Sequence, residues 1–231
     1  MDNYAYIKRN YDTLCEEIEQ ISARVGIAVP KLVSVTKSGD DAELLALLRA
    51  GAVAIGENRP QELSRRGTLL AEAGFHPELH QIGSLQSNKA KLVAPISTLI
   101  HSLDSESLLR ELSRVGEKLG KSIPVLIEIN SACEEQKGGI MPNDAERFLE
   151  RTLEFPHLSP VGLMTMGPVV DDPEEIRPYF RLTRELFDRL NRTCGFDGEG
   201  ILSMGMSDSY RVAIEEGSTL VRVGRRLFNK N

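Results

Sequence analysis

The strongest constraint on the fold of this chain is an alternation that runs through nearly all of it. Short runs rich in β-branched residues are followed by segments whose apolar residues recur at helical spacing. Such alternation predicts parallel strands joined by helical crossovers. The predicted strands are Lys31–Thr36, Ala52–Gly56, Glu78–Gly83, Thr98–Ser102, Ile123–Asn130, Leu158–Met166, Gly200–Met204 and Thr219–Gly224.

Helical patterns lie between these strands and also before the first one. The segment Asn3–Val25 carries apolar residues at helical spacing, which predicts an amphipathic N-terminal helix. Several later segments begin with a capping residue followed by an acid, as in Ser105-Glu106. The least distinct helix follows the third strand, around Gln86–Val93. The clear helical patterns are Asp40–Ala50, Ser105–Leu119, Asn143–Thr152, Pro173–Arg192 and Ser207–Glu216.

Eight such units after a leading helix favour a single (β/α)8 barrel of the TIM type, with an extra N-terminal helix and with residues 1–231 forming one domain. Closure of the sheet leaves no direct trace in a sequence, so an open, doubly wound sheet is the alternative. A chain of this length buries roughly 70% of its unfolded surface in one core, so neither a disulfide nor a structural metal is needed.

Charge and composition exclude several classes of function. The formal net charge of −6 argues against non-specific binding to nucleic acid or to anionic membranes. The 3 cysteines are odd in number and lack any C-x-x-C spacing. The N-terminus has no apolar signal-peptide region, and no apolar stretch approaches a membrane span. We therefore expect a cytoplasmic protein without nucleic-acid or membrane partners.

Polar or glycine-rich residues end every predicted strand, where α/β folds collect their functional groups. Lys37 directly follows the first strand, and alternation places it on the same face as Val33 and Val35. If that face points into the barrel, desolvation lowers the pKa of the amine and makes a neutral nucleophile accessible. An aldehyde cofactor requires such a nucleophile. A solvated lysine at a strand exit is the alternative.

A second informative stretch, Ser203–Asp208, follows the seventh strand and leads directly into a predicted helix. With Ser207 or Asp208 as the cap, the turn offers backbone N–H groups, a hydroxyl and a helix dipole to an anion. Gly224 ends the eighth strand and permits close backbone approach. Barrels commonly bind phosphate with the loops after strands seven and eight. An ordinary capped helix beside a glycine turn is the alternative.

Arg222 is a charged residue in an otherwise apolar last strand. Burial of its charge is costly unless the guanidinium is paired or functional. It can form an ion pair with an acid, or it can direct its N–H groups at a ring nitrogen of a ligand. His80 and His101 are interpreted as hydrogen-bonded core residues, because no carboxylate or cysteine lies at metal-ligand spacing; we expect no metal site.

Longer blocks of the sequence resemble the pyridoxal phosphate homeostasis proteins, which are small single-domain relatives of the alanine racemase barrel. Two blocks, Leu-Gln-Ser-Asn-Lys at 85–89 and Ser-Met-Gly-Met-Ser at 203–207, are highly specific when they occur together in this order. The other matching blocks are Leu32–Lys37, Gly56–Asn58, Ile100–Ser105, Gly162–Met166 and Gly217–Gly224.

The resemblance implies that the cofactor is pyridoxal 5′-phosphate, held as a Schiff base on Lys37. It implies that Asn58 lies near the cofactor ring and that Arg222 faces the pyridine nitrogen. The residues that it implies for the phosphate are Ser207 and the backbone amides around Met206, Gly224 and Arg225.

The resemblance also implies a carrier or regulator in intracellular vitamin B6 homeostasis, with no robust catalysis. An arginine at the ring nitrogen keeps that nitrogen unprotonated and makes the ring a poorer electron sink. In racemase relatives a second, β-rich domain and a partner subunit bring a tyrosine as the opposite base, and we expect no such domain here. Tyr210 lies in a predicted helix and is not assigned that role.

Two alternatives stand beside the carrier. One is an amino acid racemase of the alanine racemase type. The other is a barrel enzyme that acts on a phosphorylated metabolite without a Schiff base. For the carrier we expect a monomer that passes pyridoxal phosphate to apo-enzymes dependent on it.

Overall fold

The computed structural model describes residues 4–230. Within this range eight strands occur: β1 (Lys31–Val35), β2 (Ala54–Glu57), β3 (Glu78–Gln81), β4 (Leu99–Leu103), β5 (Ile123–Glu128), β6 (Leu158–Met164), β7 (Ile201–Ser203) and β8 (Leu220–Val223). They are parallel and close into a barrel in sequence order. Strand β8 pairs with β1, with Arg222 opposite Val33. The predicted barrel is confirmed and the open sheet is excluded, because an open sheet leaves two unpaired edges.

Eight α-helices in the described range surround the strands: α1 (Ala5–Val25), α2 (Asp41–Arg49), α3 (Pro60–Glu72), α4 (Ala90–Val93), α5 (Glu106–Leu119), α6 (Ala145–Leu153), α7 (Arg177–Thr193) and α8 (Tyr210–Glu215). Helix α1 confirms the predicted N-terminal helix from its N-cap Tyr4 onward, while Asn3 lies outside the described residues. It packs against α8 and α2. Helix α1 therefore takes the place in the outer ring that a helix after β8 would occupy.

Four helices differ from their sequence patterns. In the predicted helix Pro173–Arg192, residues Pro173–Ile176 form a 3₁₀ helix and α7 begins at Arg177. The weak pattern after β3 forms a 3₁₀ turn, Ser87–Lys89, before the single turn of α4. Helix α8 begins at Tyr210 instead of Ser207, because Ser209 is its N-cap. Helix α3 is not among the clear patterns of the sequence, yet it starts at Pro60, whose fixed φ suits the first helical turn.

Apolar side chains fill the barrel and the layer outside it. Alternation in β1 sends Val33 and Val35 inward, while Leu32 packs against the helix layer. Each fully buried valine or leucine contributes roughly 1.5–3 kcal/mol. The interior cluster is Val33, Val35, Ala54, Ile82, Leu99, Leu126, Met164 and Leu220.

None of the helices in residues 4–230 combines the length and the apolar composition that a bilayer span requires. Helix α1, with 21 residues, buries one face against the barrel and carries charged residues such as Lys8 and Asp12 on the other.

Candidate functional site

Lys37 lies in a turn just beyond β1, and the neighbouring strand and helix hold the backbone of this turn. Arg66 of α3 donates to the carbonyl of Thr36 (Nη1, 2.7 Å) and to that of Gly39 (Nη2, 2.6 Å), which flank Lys37. The same guanidinium lies 2.5 Å from Oε1 of Glu57 at the end of β2. The hydroxyl of Thr36 donates to this carboxylate as well. These bonds fix the backbone from which Lys37 projects.

The Lys37 side chain is exposed, so the expectation of a desolvated amine is wrong. Strand alternation ends with β1 at Val35, and Lys37 lies in the turn that follows. An exposed position leaves the amine open to a ligand that arrives from solvent. Any desolvation of the amine must come from a ligand that covers it.

Arg222 of β8 is buried, with 3% of its surface exposed. Its Nη1 donates to Ser203 Oγ (2.5 Å) and its Nη2 donates to the Thr165 carbonyl (3.0 Å). Burial lowers the pKa of Arg222 to about 10, while the charge of Glu128 opposes this shift. The guanidinium therefore remains charged at neutral pH, and its hydrogen-bond partners are neutral oxygens instead of a paired acid.

Glu128 is a residue of this region that the sequence reasoning missed. It is the last residue of β5 and is buried. Burial raises its pKa to about 7; the charge of Asp104 adds to this shift and that of Arg222 opposes it. Alternation could have found it, because Glu128 shares a strand face with the interior residue Leu126. A carboxyl group with a pKa near neutrality can gain or lose a proton under physiological conditions.

Asn58 follows β2 and is exposed at the same end of the barrel as Lys37. Its carbonyl accepts a 3.0 Å bond from Nε2 of Gln81. A Cβ atom added at Gly83 would lie 2.5 Å from the same carbonyl oxygen, so only glycine permits this approach of the two loops. Gln81 and Gly83 thus fix the backbone at Asn58.

The loops after β7 and β8 meet where the phosphate site is predicted. The N–H of Gly224 donates to Ser207 Oγ at 3.3 Å. A Cβ at Gly224 would lie 2.8 Å from the Val35 carbonyl oxygen, so a larger residue does not fit between β8 and β1. The expected cap at Ser207 or Asp208 is wrong, because Ser209 precedes α8.

Two other predicted members of this cluster have partners in the same loops. The Met206 N–H donates to Ser209 Oγ at 3.1 Å. Arg225 forms an exposed ion pair with Asp208. The four predicted phosphate-binding residues are therefore adjacent. In this arrangement the backbone N–H groups of Met206 and Gly224 donate to the hydroxyls of Ser209 and Ser207.

His80 and His101 are hydrogen-bonded inside the barrel, as predicted. His80 Nδ1 lies 2.9 Å from His101 Nε2, and His101 Nδ1 lies 3.1 Å from Ser203 Oγ. Among residues 4–230, no group of 3 or more His, Cys, Asp or Glu side chains is arranged to hold a metal ion.

The predicted site residues all lie at one end of four strands that are neighbours around the barrel, β7, β8, β1 and β2. This end offers an accessible amine, a buried guanidinium, and a hydroxyl beside a glycine that tolerates no side chain. The amine suits an aldehyde, the guanidinium suits a ring nitrogen, and the hydroxyl and loop amides suit a phosphate. The residues present therefore fit pyridoxal 5′-phosphate. They are Lys37, Asn58, Met206, Ser207, Arg222, Gly224 and Arg225.

Comparisons with known proteins identify the family of this chain. The family described as "Alanine racemase, N-terminal domain" matches residues 9–231. A pyridoxal phosphate homeostasis protein of Aquifex aeolicus is 38% identical over 225 residues, which cover 94% of this chain and 97% of that protein. A protein of the same name from Helicobacter pylori is 34% identical and covers 96% of this chain and 98% of its own length.

Two solved structures are similar to this chain. PipY of Synechococcus elongatus, solved with pyridoxal phosphate bound, has a TM-score of 0.83 and 27% identity over 96% of this chain and all 100% of its own. Alanine racemase of Corynebacterium glutamicum shares the fold, with a TM-score of 0.72 and 18% identity over 97% of this chain and 61% of the racemase. By sequence and by structure, this chain belongs to the family of pyridoxal phosphate homeostasis proteins, within the wider family of alanine racemase N-terminal domains.

Proposed function

We propose that this chain is a single-domain carrier of pyridoxal 5′-phosphate in vitamin B6 homeostasis, with Lys37 as the residue that forms the Schiff base. The observation that carries the proposal is the meeting of Lys37, Arg222 and the Ser207–Gly224 contact on adjacent strand ends. The names of the relatives, and the ligand in the PipY structure, support the same cofactor.

Each part of the cofactor has a partner of suitable chemistry. The Lys37 amine is exposed and can reach an aldehyde that arrives from solvent. The Arg222 guanidinium is held in the interior and supplies a positive charge to the ring nitrogen. Ser207 and the loop backbone from Met206 to Arg225 supply donors to the phosphate. At present the N–H of Met206 donates to Ser209 Oγ and the N–H of Gly224 donates to Ser207 Oγ. Both bonds must break before these N–H groups can bind the phosphate.

The charge of Arg222 supports a carrier over a catalyst. Bound pyridoxal phosphate supplies an electron-withdrawing ring, which works best as an electron sink when its nitrogen is protonated. A cation beside that nitrogen opposes protonation. Tyr210, the tyrosine nearest in sequence to the Ser203–Asp208 loop, directs its hydroxyl to Glu17 and accepts a 2.6 Å bond from Arg226 in the helix layer, so it is not available as an opposite base.

Amino acid racemase activity is the second candidate, and Glu128 is the observation that favours it. Its carboxyl group is buried with a pKa of about 7, so it can exchange a proton at neutral pH on the strand face that carries Leu126. In a racemase, Glu128 would have to act as the second base, because Tyr210 is not available for that role.

One experiment separates the two functions. The purified chain is loaded with pyridoxal phosphate, its visible absorption is recorded, and L-alanine is added in deuterium oxide. A carrier shows the absorption band of a bound cofactor, deuterium exchange at Cα no faster than that of free cofactor, and transfer of the cofactor to an added apo-enzyme. Exchange at an enzyme-like rate that Glu128→Gln abolishes favours the racemase. A chain that stays colourless contradicts both.

A further inference from the structure

A chain of hydrogen bonds crosses the interior of the barrel and ends on Arg222. Arg222 Nη1 donates to Ser203 Oγ at 2.5 Å, and Ser203 Oγ lies 3.1 Å from His101 Nδ1. His101 Nε2 lies 2.9 Å from His80 Nδ1, and His80 Nε2 lies 3.2 Å from Oε2 of Glu78. We call these five residues the interior chain. It links four strands, β8, β7, β4 and β3.

The two ends of the interior chain have fixed hydrogen-bonding roles. Arg222 can only donate and an ionised Glu78 can only accept. Ser203 Oγ accepts from Arg222 and forms a second hydrogen bond with Nδ1 of His101. His80 donates from Nε2 to Glu78, and its Nδ1 forms a hydrogen bond with Nε2 of His101.

The surroundings of the interior chain determine the charge of His101 and of Glu78. Burial, aided by the neighbouring His80 and the charge of Arg222, holds the pKa of His101 well below its usual range. At the other end of β3, hydrogen bonding to His80 and to Lys31 holds the pKa of Glu78 at about 2 against the effect of burial. The Lys31 amine lies 2.7 Å from this carboxylate. At neutral pH, His101 thus stays uncharged and Glu78 stays an acceptor.

Burial makes each hydrogen bond of the interior chain costly to lose. Ser203, His101 and His80 are each at most 1% exposed, so a polar group left without a partner there is costly. Ser203 Oγ accepts from Arg222 and is held in place by its second hydrogen bond, to His101 Nδ1. The guanidinium is thus held by two neutral oxygens, Ser203 Oγ and the Thr165 carbonyl.

We propose that His101 and His80 are positioning residues that act through Ser203 to orient the Arg222 guanidinium toward the ring of bound pyridoxal phosphate. The inference rests on the proposed function, because it assigns Arg222 to the ring nitrogen. It extends the cofactor site from the C-terminal end of the barrel to Glu78 and Lys31 at the N-terminal end. No residue of the interior chain other than Arg222 needs to touch the cofactor.

The test uses variants that break or preserve the interior chain. Ser203→Ala removes the acceptor of Arg222 Nη1, and His101→Leu removes the hydrogen-bond partner of Ser203 Oγ. His101→Gln retains an acceptor and a donor on one side chain. His76→Leu is the matched control, because His76 is exposed and outside the interior chain. The readouts are the dissociation constant for pyridoxal phosphate from absorbance titration, the position of its visible band, and borohydride labelling of Lys37.

We expect Ser203→Ala and His101→Leu to weaken binding about tenfold, the effect of leaving one buried polar group unpaired. Both should shift the visible band while labelling still occurs at Lys37. His101→Gln should restore most of the affinity, and His76→Leu should match wild type. If His101→Leu fails to fold, Ser203→Ala decides alone. Unchanged affinity and band in Ser203→Ala overturn the inference and leave the proposed function intact. Wild type without labelling at Lys37 overturns the proposed function and the inference with it.

Discussion

Arg66 Nη1 lies 2.5 Å from Glu57 Oε1, and both side chains are buried beneath the turn that carries Lys37. The pair joins α3 to β2, and its guanidinium also binds the carbonyls on either side of Lys37. These bonds hold the turn in place, and a buried ion pair is by itself weak evidence of net stability.

Arg66→Ala is expected to destabilise the protein by about 3 kcal/mol or more, because it leaves the carboxylate of Glu57 buried without its cation. It should also weaken binding of pyridoxal phosphate, because the carbonyls of Thr36 and Gly39 lose their donor. Arg65→Ala is the matched control: Arg65 pairs with Asp41 on the surface, and such pairs contribute at most about 1 kcal/mol. Urea unfolding and absorbance titration measure the two effects. Equal losses in both variants would contradict the role given to Arg66.

The buried carboxyl group of Glu128 predicts a specific dependence of stability on pH. Its pKa is about 7 in the folded chain and about 4.3 when unfolded. Between these values the folded state holds a proton that the unfolded state releases, so stability falls as the pH rises through this window. Glu128→Gln should remove this decline, which is on the order of 3 kcal/mol in total.

Urea unfolding at about pH 4.5 and about pH 8 measures this difference for wild type and variant. The comparison at each pH isolates Glu128, because the other buried groups are common to both proteins. Glu150→Gln, at an exposed position of α6, serves as the control and should keep the wild-type slope. A Glu128→Gln variant whose stability changes with pH as wild type does would show that the buried carboxyl titrates normally.

Ser207→Ala tests the phosphate site separately from the aldehyde site. We expect affinity for pyridoxal phosphate to fall about tenfold or more, since hydrogen bonds to charged groups contribute about 1.5–3 kcal/mol. Affinity for pyridoxal, which lacks the phosphate, should stay within about twofold of wild type, well below the effect of one lost hydrogen bond. Ser122→Ala, an exposed serine just before β5 at the opposite end of the barrel, is the control. Equal losses for the two ligands would place the phosphate elsewhere.

The sequence predicts the barrel and the ends of its strands well, because strand alternation and helical spacing are local properties. Lys37 and Arg222 stand out in the same way, as charged residues that follow or interrupt apolar runs. The exposure of Lys37 is one of the two alternatives that the sequence leaves open, because alternation stops at Val35 where β1 ends. The start of α8 at Tyr210 depends on which of several polar residues caps the helix.

Contacts across the closed barrel have no signal in the sequence. His101 and Ser203 meet over a separation of 102 residues, and their contact depends on the stagger of the closed sheet. The pairing of Arg66 with Glu57 likewise depends on how α3 packs against β2. The polar residues of the interior chain were visible as unusual members of apolar strands, but their mutual partners were not.

Reductive trapping at Lys37 tests the central claim most directly. The chain is mixed with pyridoxal phosphate, reduced with borohydride and digested, and the modified peptide is identified by mass, with Lys37→Ala and the exposed-residue control Lys118→Ala treated alike. We predict one pyridoxyl group on the peptide that contains Lys37, present in wild type and Lys118→Ala and absent from Lys37→Ala. Labelling of another lysine in its place, or equal labelling of Lys37→Ala, would contradict the account.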